Sequence, residues 1–119
     1  MANPNIVAVT EILGESVAAN ATTSLSDLVV NATSSGKVYK INSVIASNID
    51  TISSQDITVN FNTSSTDYAL AKNITIPTTS SLVVISKDSG IYLREGDKLT
   101  IKAASNSTVQ VVCSYEVIS

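Results

Sequence analysis

The residues that most often carry out catalysis are rare in this sequence and widely spaced. The chain has no histidine, so the commonest general base is missing and neither a Ser–His nor a Cys–His pair can form. Its 10 carboxylates are scattered, mostly beside turn-forming residues, and no spacing among them suggests the paired acids of a glycosidase. With only 4 glycines, the chain also lacks a phosphate-cradling loop. The sequence therefore predicts a protein that is not an enzyme.

A metal site in this chain would have to be built from oxygen ligands. Cys113 is the only cysteine, which excludes an intrachain disulfide and a thiolate cluster. Because it lies in an alternating apolar strand, we expect it to be a small buried hydrophobe. Asp50, Asp56, Asp88 and Asp97 lie near predicted loops and could hold Ca²⁺, but their spacing is not that of an EF-hand. Carboxylates that cap turns are the better interpretation, and we expect no cofactor and no metal.

Apolar and polar residues alternate with a period of two throughout the chain, which is the pattern of half-buried strands. Residues 55–62, for example, place Ile57, Val59 and Phe61 on one face and polar side chains on the other. Turn-forming residues such as those at 32–36, 88–90 and 105–107 separate these segments. Strands are predicted at residues 6–13, 24–30, 37–47, 55–62, 68–71 with 74–76, 81–86, 91–93, 98–103 and 108–118.

Eight or nine short strands at regular spacing, with no long segment of helical period, predict an all-β fold. The expected architecture is a single jelly-roll-like antiparallel β-sandwich with an extended N-terminal arm. Residues 1–13 are the arm or the first strand, and residues 14–119 form the sandwich domain. Residues 11–24 could hold one helical turn, although Gly14 and the Asn and Thr content argue against more.

The segment around residues 95–97 is a turn between two alternating strands. Gly96 can adopt a positive φ and Asp97 can hydrogen-bond the turn backbone. The pattern L-x-x-G-D-x-L-x-I, from Leu93 to Ile101, recurs near the C-terminus of jelly-roll sandwiches. It supports the fold more than any function.

Two segments carry apolar residues that a sandwich alone does not require. In the final strand, Val112 and Ile118 make the second face partly apolar, which predicts a central strand or one covered by a partner. The first dozen residues form either an ordinary first strand or an arm that pairs with a neighbouring subunit. The candidate interface residues are Ile6, Val7 and Val9 for partner contact, and Val112, Ser114 and Glu116 for subunit contact.

The charge distribution argues against two classes of partner. The formal net charge is -3 and no Lys/Arg cluster is present, so nucleic-acid binding is disfavoured. Apolar runs such as residues 82–85 are far shorter than the roughly 20 residues of a membrane span. The first residues contain no basic segment followed by an apolar one, so we expect no secretory signal and a protein made in the cytosol.

Several segments resemble small virion proteins of tailed phages, especially those that infect marine cyanobacteria. The resemblance covers most of the chain from Ser24 onward and implies a location in the virion better than it implies a role. No catalytic residue comes with it. The segments that carry the resemblance are residues 35–43, 47–50, 56–59, 82–93, 95–97 and 112–116.

The expected function is that of a virion structural protein, specifically a capsid decoration or cement protein that binds the capsid surface as an oligomer, with a homotrimer as the first expectation. Its partners would be the major capsid protein or other virion proteins. Two alternatives remain open. One is a tail, baseplate or neck-fibre module, and the other is a carbohydrate- or Ca²⁺-binding β-sandwich.

Overall fold

The computed structural model describes residues 11–86, 88 and 90–119, and these residues form an all-β fold. Two antiparallel sheets pack face to face as a sandwich, as the alternation predicts. No helix in the described residues is long and apolar enough to cross a membrane. The strands are β1 (Ile12–Asn20), β2 (Ser26–Val30), β3 (Val38–Asn48), β4 (Gln55–Thr63), β5 (Thr66–Ile76), β6 (Ser81–Ile85), β7 (Ile91–Leu93), β8 (Lys98–Ala103) and β9 (Val109–Ile118).

The strand order interleaves distant parts of the chain. The five-stranded sheet has the order β1-β9-β3-β6, and β7 also pairs with β3. The four-stranded sheet has the order β2-β8-β4-β5. The final strand β9 lies between β1 and β3, so the prediction of a central strand is confirmed. The two-sheet sandwich is likewise confirmed.

The core between the sheets is built almost entirely from Val, Ile, Leu and Ala. Ile57 and Val59 of β4 are fully buried against β8, and Val111 and Cys113 of β9 are fully buried against β3. Each such aliphatic side chain contributes about 1.5–3 kcal/mol by leaving water. The expectation that Cys113 is a small buried hydrophobe is confirmed.

Residues 11–24 do not hold the helical turn that the sequence left open. Residues Ile12–Asn20 form β1, which pairs with β9 over its whole length without a register shift. The physical reason is that β9 offers a full ladder of backbone partners, while Val17 and Ala19 pack on the core with a period of two. Ile12 and Leu13, at the end of the predicted arm, belong to this strand. The predicted contacts Ile6, Val7 and Val9 lie outside the described residues.

Two buried asparagines fix the loops that follow β2 and β3. The Asn31 Nδ2 donates hydrogen bonds to the backbone carbonyls of Lys37 (2.8 Å) and Leu93 (2.9 Å). The Asn48 Nδ2 donates in the same way to Ser53 (3.1 Å) and Ile76 (2.9 Å). Each amide therefore joins loop backbone to a strand of the opposite sheet or its end, and the bonds to Leu93 and Ile76 satisfy buried carbonyls.

The turn at residues 95–97 has the predicted chemistry. Gly96 has φ = 87°, and the Asp97 Oδ2 accepts a hydrogen bond from the backbone N–H of Arg94 at 3.1 Å. The Asn31 N–H donates to the Asp97 carbonyl at 3.0 Å, and the Gly96 N–H donates to the Asn31 carbonyl at 2.8 Å. The turn is therefore anchored to the loop after β2.

The core predicts a large difference between two Ile→Ala substitutions. Ile57→Ala should lower the free energy of unfolding by about 2–5 kcal/mol, because it leaves a cavity between the sheets. Ile52→Ala should change it by less than about 0.5 kcal/mol, because the Ile52 side chain is 87% exposed. Urea denaturation followed by circular dichroism measures both. Equal effects would contradict the assignment of the core.

Candidate functional site

A row of apolar side chains crosses the outer face of the five-stranded sheet. Ala18 of β1 pairs with Val112 of β9, Val112 pairs with Ile45 of β3, and Ile45 pairs with Val83 of β6. All four side chains are exposed. Cross-strand neighbours on one face lie about 4.5–5.5 Å apart at Cβ, so the four side chains are contiguous. We call Ala18, Val112, Ile45 and Val83 the apolar row.

Uncharged polar residues flank the apolar row on both sides. On one side, the Ser16 and Ser114 hydroxyl oxygens lie 3.3 Å apart. On the other side, the Ser47 and Ser81 hydroxyl oxygens lie 2.7 Å apart. The side chains of the flanking rows are Ser16, Ser114 and Ser43 on the first side and Asn20, Gln110, Ser47 and Ser81 on the second.

The composition of this face keeps the free-energy cost of burying it under a partner low. A partner that covers it would desolvate no charge across three consecutive rows, and burying an unpaired charge is what most opposes association. Ala, Val and Ser also lose little side-chain entropy when they are immobilised. The first charges occur one row further along, where Glu116 and Lys40 are direct cross-strand partners of opposite sign.

The predicted contacts Val112, Ser114 and Glu116 occupy alternate positions of β9 on this outer face. Val112 lies in the apolar row, Ser114 in the adjacent row, and Glu116 in the row after that. Whether they form a subunit contact stays a prediction.

Sequence reasoning missed Ala18, Ile45 and Val83. The available signal was a break in alternation, since Ile45 stands between two residues that are also apolar and Val83 lies within an apolar run. Register shifts in β3 next to Val44 and Ile41 then decide which residue faces out.

The outer face of the four-stranded sheet has a different character. The Lys98 Nζ and the Asp27 Oδ1 form an ion pair at 3.0 Å. The Asp67 Oδ1 accepts hydrogen bonds from Asn62 (3.0 Å) and Thr100 (3.2 Å). Lys72 and Lys102 line a groove of about 300 Å³ on the same face. The strands of this sheet also expose apolar side chains, such as Val30, Leu70 and Ile74, so this side of the sandwich carries charges beside apolar residues.

Asp50, which the sequence offered as a possible Ca²⁺ ligand, caps a turn. The Asp50 Oδ1 accepts hydrogen bonds from the backbone N–H groups of Ile52 (2.8 Å) and Ser53 (3.4 Å), and the Asp50 Oδ2 accepts one from Gln55 at 3.0 Å. These bonds, that from Ile52 foremost, lower the pKa of Asp50. Among the described residues, no group of three or more acidic, His or Cys side chains could hold a metal ion.

Burial determines the chemistry of the single thiol. The Cys113 side chain is fully buried between the sheets, and this desolvation raises its pKa from 9.0 to about 12. The group therefore remains a neutral thiol near neutral pH, and only the thiolate is a nucleophile.

No known protein family matches the chain, and no curated protein matches it. Among solved structures, a chain from Bacillus endospore appendages, described as a novel family of disulfide-linked pili, is similar over 100% of this chain and 96% of its own, with a TM-score of 0.55 and 16% identity. A chain of the T13 IBDV viral particle is similar over 92% of this chain and 31% of its own, with a TM-score of 0.41 and 10% identity. The first likeness shows a shared fold.

The buried thiol predicts a clear result with a thiol reagent. In the folded protein, Cys113 should not react with Ellman's reagent at pH 8, because the reagent cannot reach it and its pKa lies well above that pH. One thiol per chain should react after unfolding in guanidinium chloride. Rapid reaction under native conditions would contradict the burial of Cys113.

Proposed function

We propose that this protein is a non-catalytic structural subunit that assembles with other structural proteins through the outer face of its five-stranded sheet. The apolar row of Ala18, Val112, Ile45 and Val83 is the observation that carries the proposal. A solvent-exposed apolar row bordered by uncharged polar rows has the layout of an interface core with a polar rim.

The size of this face indicates how the subunit would assemble. Four strands spaced by about 4.8 Å and four rows spaced by about 6.8 Å give an area of about 500 Å². A stable two-protein interface buries about 800 Å² on each partner. The face of one copy is therefore too small to hold a lone complex firmly. It suits an assembly in which each subunit makes more than one contact.

More specifically, we propose that the subunit is a virion protein of a tailed phage that decorates or cements the capsid. The sequence resemblance supports it, and so does the strand order. When β6 and β7 are counted as one interrupted strand, the two layers read first-last-third-sixth and second-seventh-fourth-fifth, which we interpret as a jelly roll. A rigid sandwich with no need of a disulfide suits a protein made in the host cytoplasm. The major capsid protein or another virion protein would be its partner.

A filament subunit is the second candidate, and the full-length likeness to the Bacillus appendage chain favours it. Those pili are disulfide-linked. In this chain the only cysteine is fully buried, so a filament would be held by non-covalent contacts through the sheet face. Such a filament could also be part of a phage tail, baseplate or neck fibre.

The apolar row predicts that a charge at its centre blocks assembly. Val112→Lys should abolish co-sedimentation with its structural partner, since lysine would have to be desolvated against an apolar surface. Val30→Lys is the matched control, because Val30 is 45% exposed, close to the 43% of Val112, but lies in the four-stranded sheet. Wild-type binding by Val112→Lys, or equal loss in both variants, would overturn the proposed face.

Fractionation of purified particles separates the candidate roles. Copurification with tail-free capsids supports capsid decoration, whereas detection only in tail fractions supports the filament or fibre role. A signal on a glycan array, or binding lost on chelation, would instead favour the carbohydrate- or Ca²⁺-binding alternative.

A further inference from the structure

Among the described residues, the strand β1 has one free edge. Within the part of the chain that the structure describes, β9 is the only strand that pairs with it. At one end, Glu11 and Ser119 exchange two backbone hydrogen bonds, of 3.1 and 3.0 Å, and at the other end the Ala21 N–H donates to Val109 at 2.8 Å. No register shift lies between these ends.

This ladder fixes which backbone groups face away from the sheet. In an antiparallel pair, hydrogen-bonded and non-hydrogen-bonded positions alternate. Since residues 11 and 21 are hydrogen-bonded to β9, so are the odd-numbered residues between them. The even-numbered residues therefore point their N–H and C=O groups outward along the free edge. These residues are Ile12, Gly14, Ser16, Ala18 and Asn20.

The other edge strands carry more features that discourage pairing than β1, whose one charged residue is Glu15. In the four-stranded sheet, β2 is short and has a register shift, while β5 has two register shifts, a lysine, and Asn73 at φ = 49°. In the five-stranded sheet, β6 has 5 residues and β7 has 3. The strand β1 has 9 residues, no proline and no lysine. Proteins that remain monomeric usually protect such an edge.

We propose that β1 pairs antiparallel with β1 of a second copy, about a two-fold axis near Val17 and Ala18, so that the two five-stranded sheets become one. This proposal rests on the proposed function, because it supplies the self-association that a structural subunit needs. The stretch Ser16 to Asn20 is uncharged, so it meets itself without repulsion. Glu15 of each copy would pair with residue 19 or 21 of the other, and the two carboxylates would lie about 13 Å or more apart.

The area of the outer face argues for a second copy as the occupant of this edge. Pairing at β1 places the two outer faces side by side on one continuous sheet, and each β1 contributes Ser16, Ala18 and Asn20 to that face. The joint face measures about 1,000 Å², which exceeds the roughly 800 Å² per partner of a stable interface. A strand from an unrelated protein would not enlarge the apolar row in this way.

Ser16→Pro tests the edge with little harm to the fold. The Ser16 N–H points outward, so proline removes no bond to β9 but blocks the intermolecular ladder. Ser16→Ala keeps the N–H and is the matched control. By light scattering, wild type and Ser16→Ala should be dimeric at high concentration, while Ser16→Pro should be monomeric with an unchanged circular dichroism spectrum. Ala18→Pro should behave like Ser16→Pro and replaces it if that variant does not fold.

Hydrogen exchange of the wild-type protein tests the same edge without a substitution. The amides of Gly14, Ser16 and Ala18 should exchange at least tenfold more slowly at millimolar than at low micromolar concentration. Those of Leu13 and Glu15 should be protected at both. Exchange of the even-numbered amides that is independent of concentration, or a dimeric Ser16→Pro, would overturn the edge pairing. If Val112→Lys blocks partner binding while Ser16→Pro remains dimeric, the proposed function stands and the edge pairing falls.

Discussion

The pairing of β9 on both of its edges is the constraint on which the rest of the structure depends. The strand β9 joins the start of the chain, in β1, to its middle, in β3, and its alternate residues supply Val109, Val111 and Cys113 to the core. Because β9 is central, its opposite face lies in the middle of the outer surface. A residue such as Val112 is therefore surrounded by cross-strand neighbours instead of standing at a rim. The apolar row exists only because this pairing brings Ala18 and Ile45 to either side of it.

Much of the fold could be predicted from the sequence because the alternation is local. A period of two placed most of the strands within two residues of their observed ends, and the turn at Gly96 and Asp97 could be predicted because one residue supplies a positive φ and the other an acceptor. The strand β1 was harder to predict, since Gly14, Glu15 and Ser16 interrupt its apolar pattern. Its conformation is decided by β9, about a hundred residues later in the chain.

The candidate site could be predicted only in part, for a physical reason. Val112 was recognisable because it adds an apolar residue to the polar face of a long strand. Its neighbours Ile45 and Val83 come from strands whose register is shifted by bulges, and a shift of one residue exchanges inward and outward faces. Nothing in the local pattern of β3 or β6 fixes that shift. The buried amides of Asn31 and Asn48 escaped prediction for a related reason, since each binds carbonyls that only the folded loops bring close.

The proposed β1–β1 pairing and the proposed contact through the outer face differ in symmetry, and this difference bears on the kind of assembly. Pairing of β1 with itself is isologous, so it is satisfied by two copies and cannot extend into a chain. A filament would then need the outer face to bind a different surface of the next pair. A closed two-fold unit whose joint outer face lies on another protein does not need a second, different surface that binds this face. If β1 pairs with itself as proposed, the resulting unit has two-fold symmetry and one continuous outer face for another structural protein, while the expected homotrimer stays a prediction.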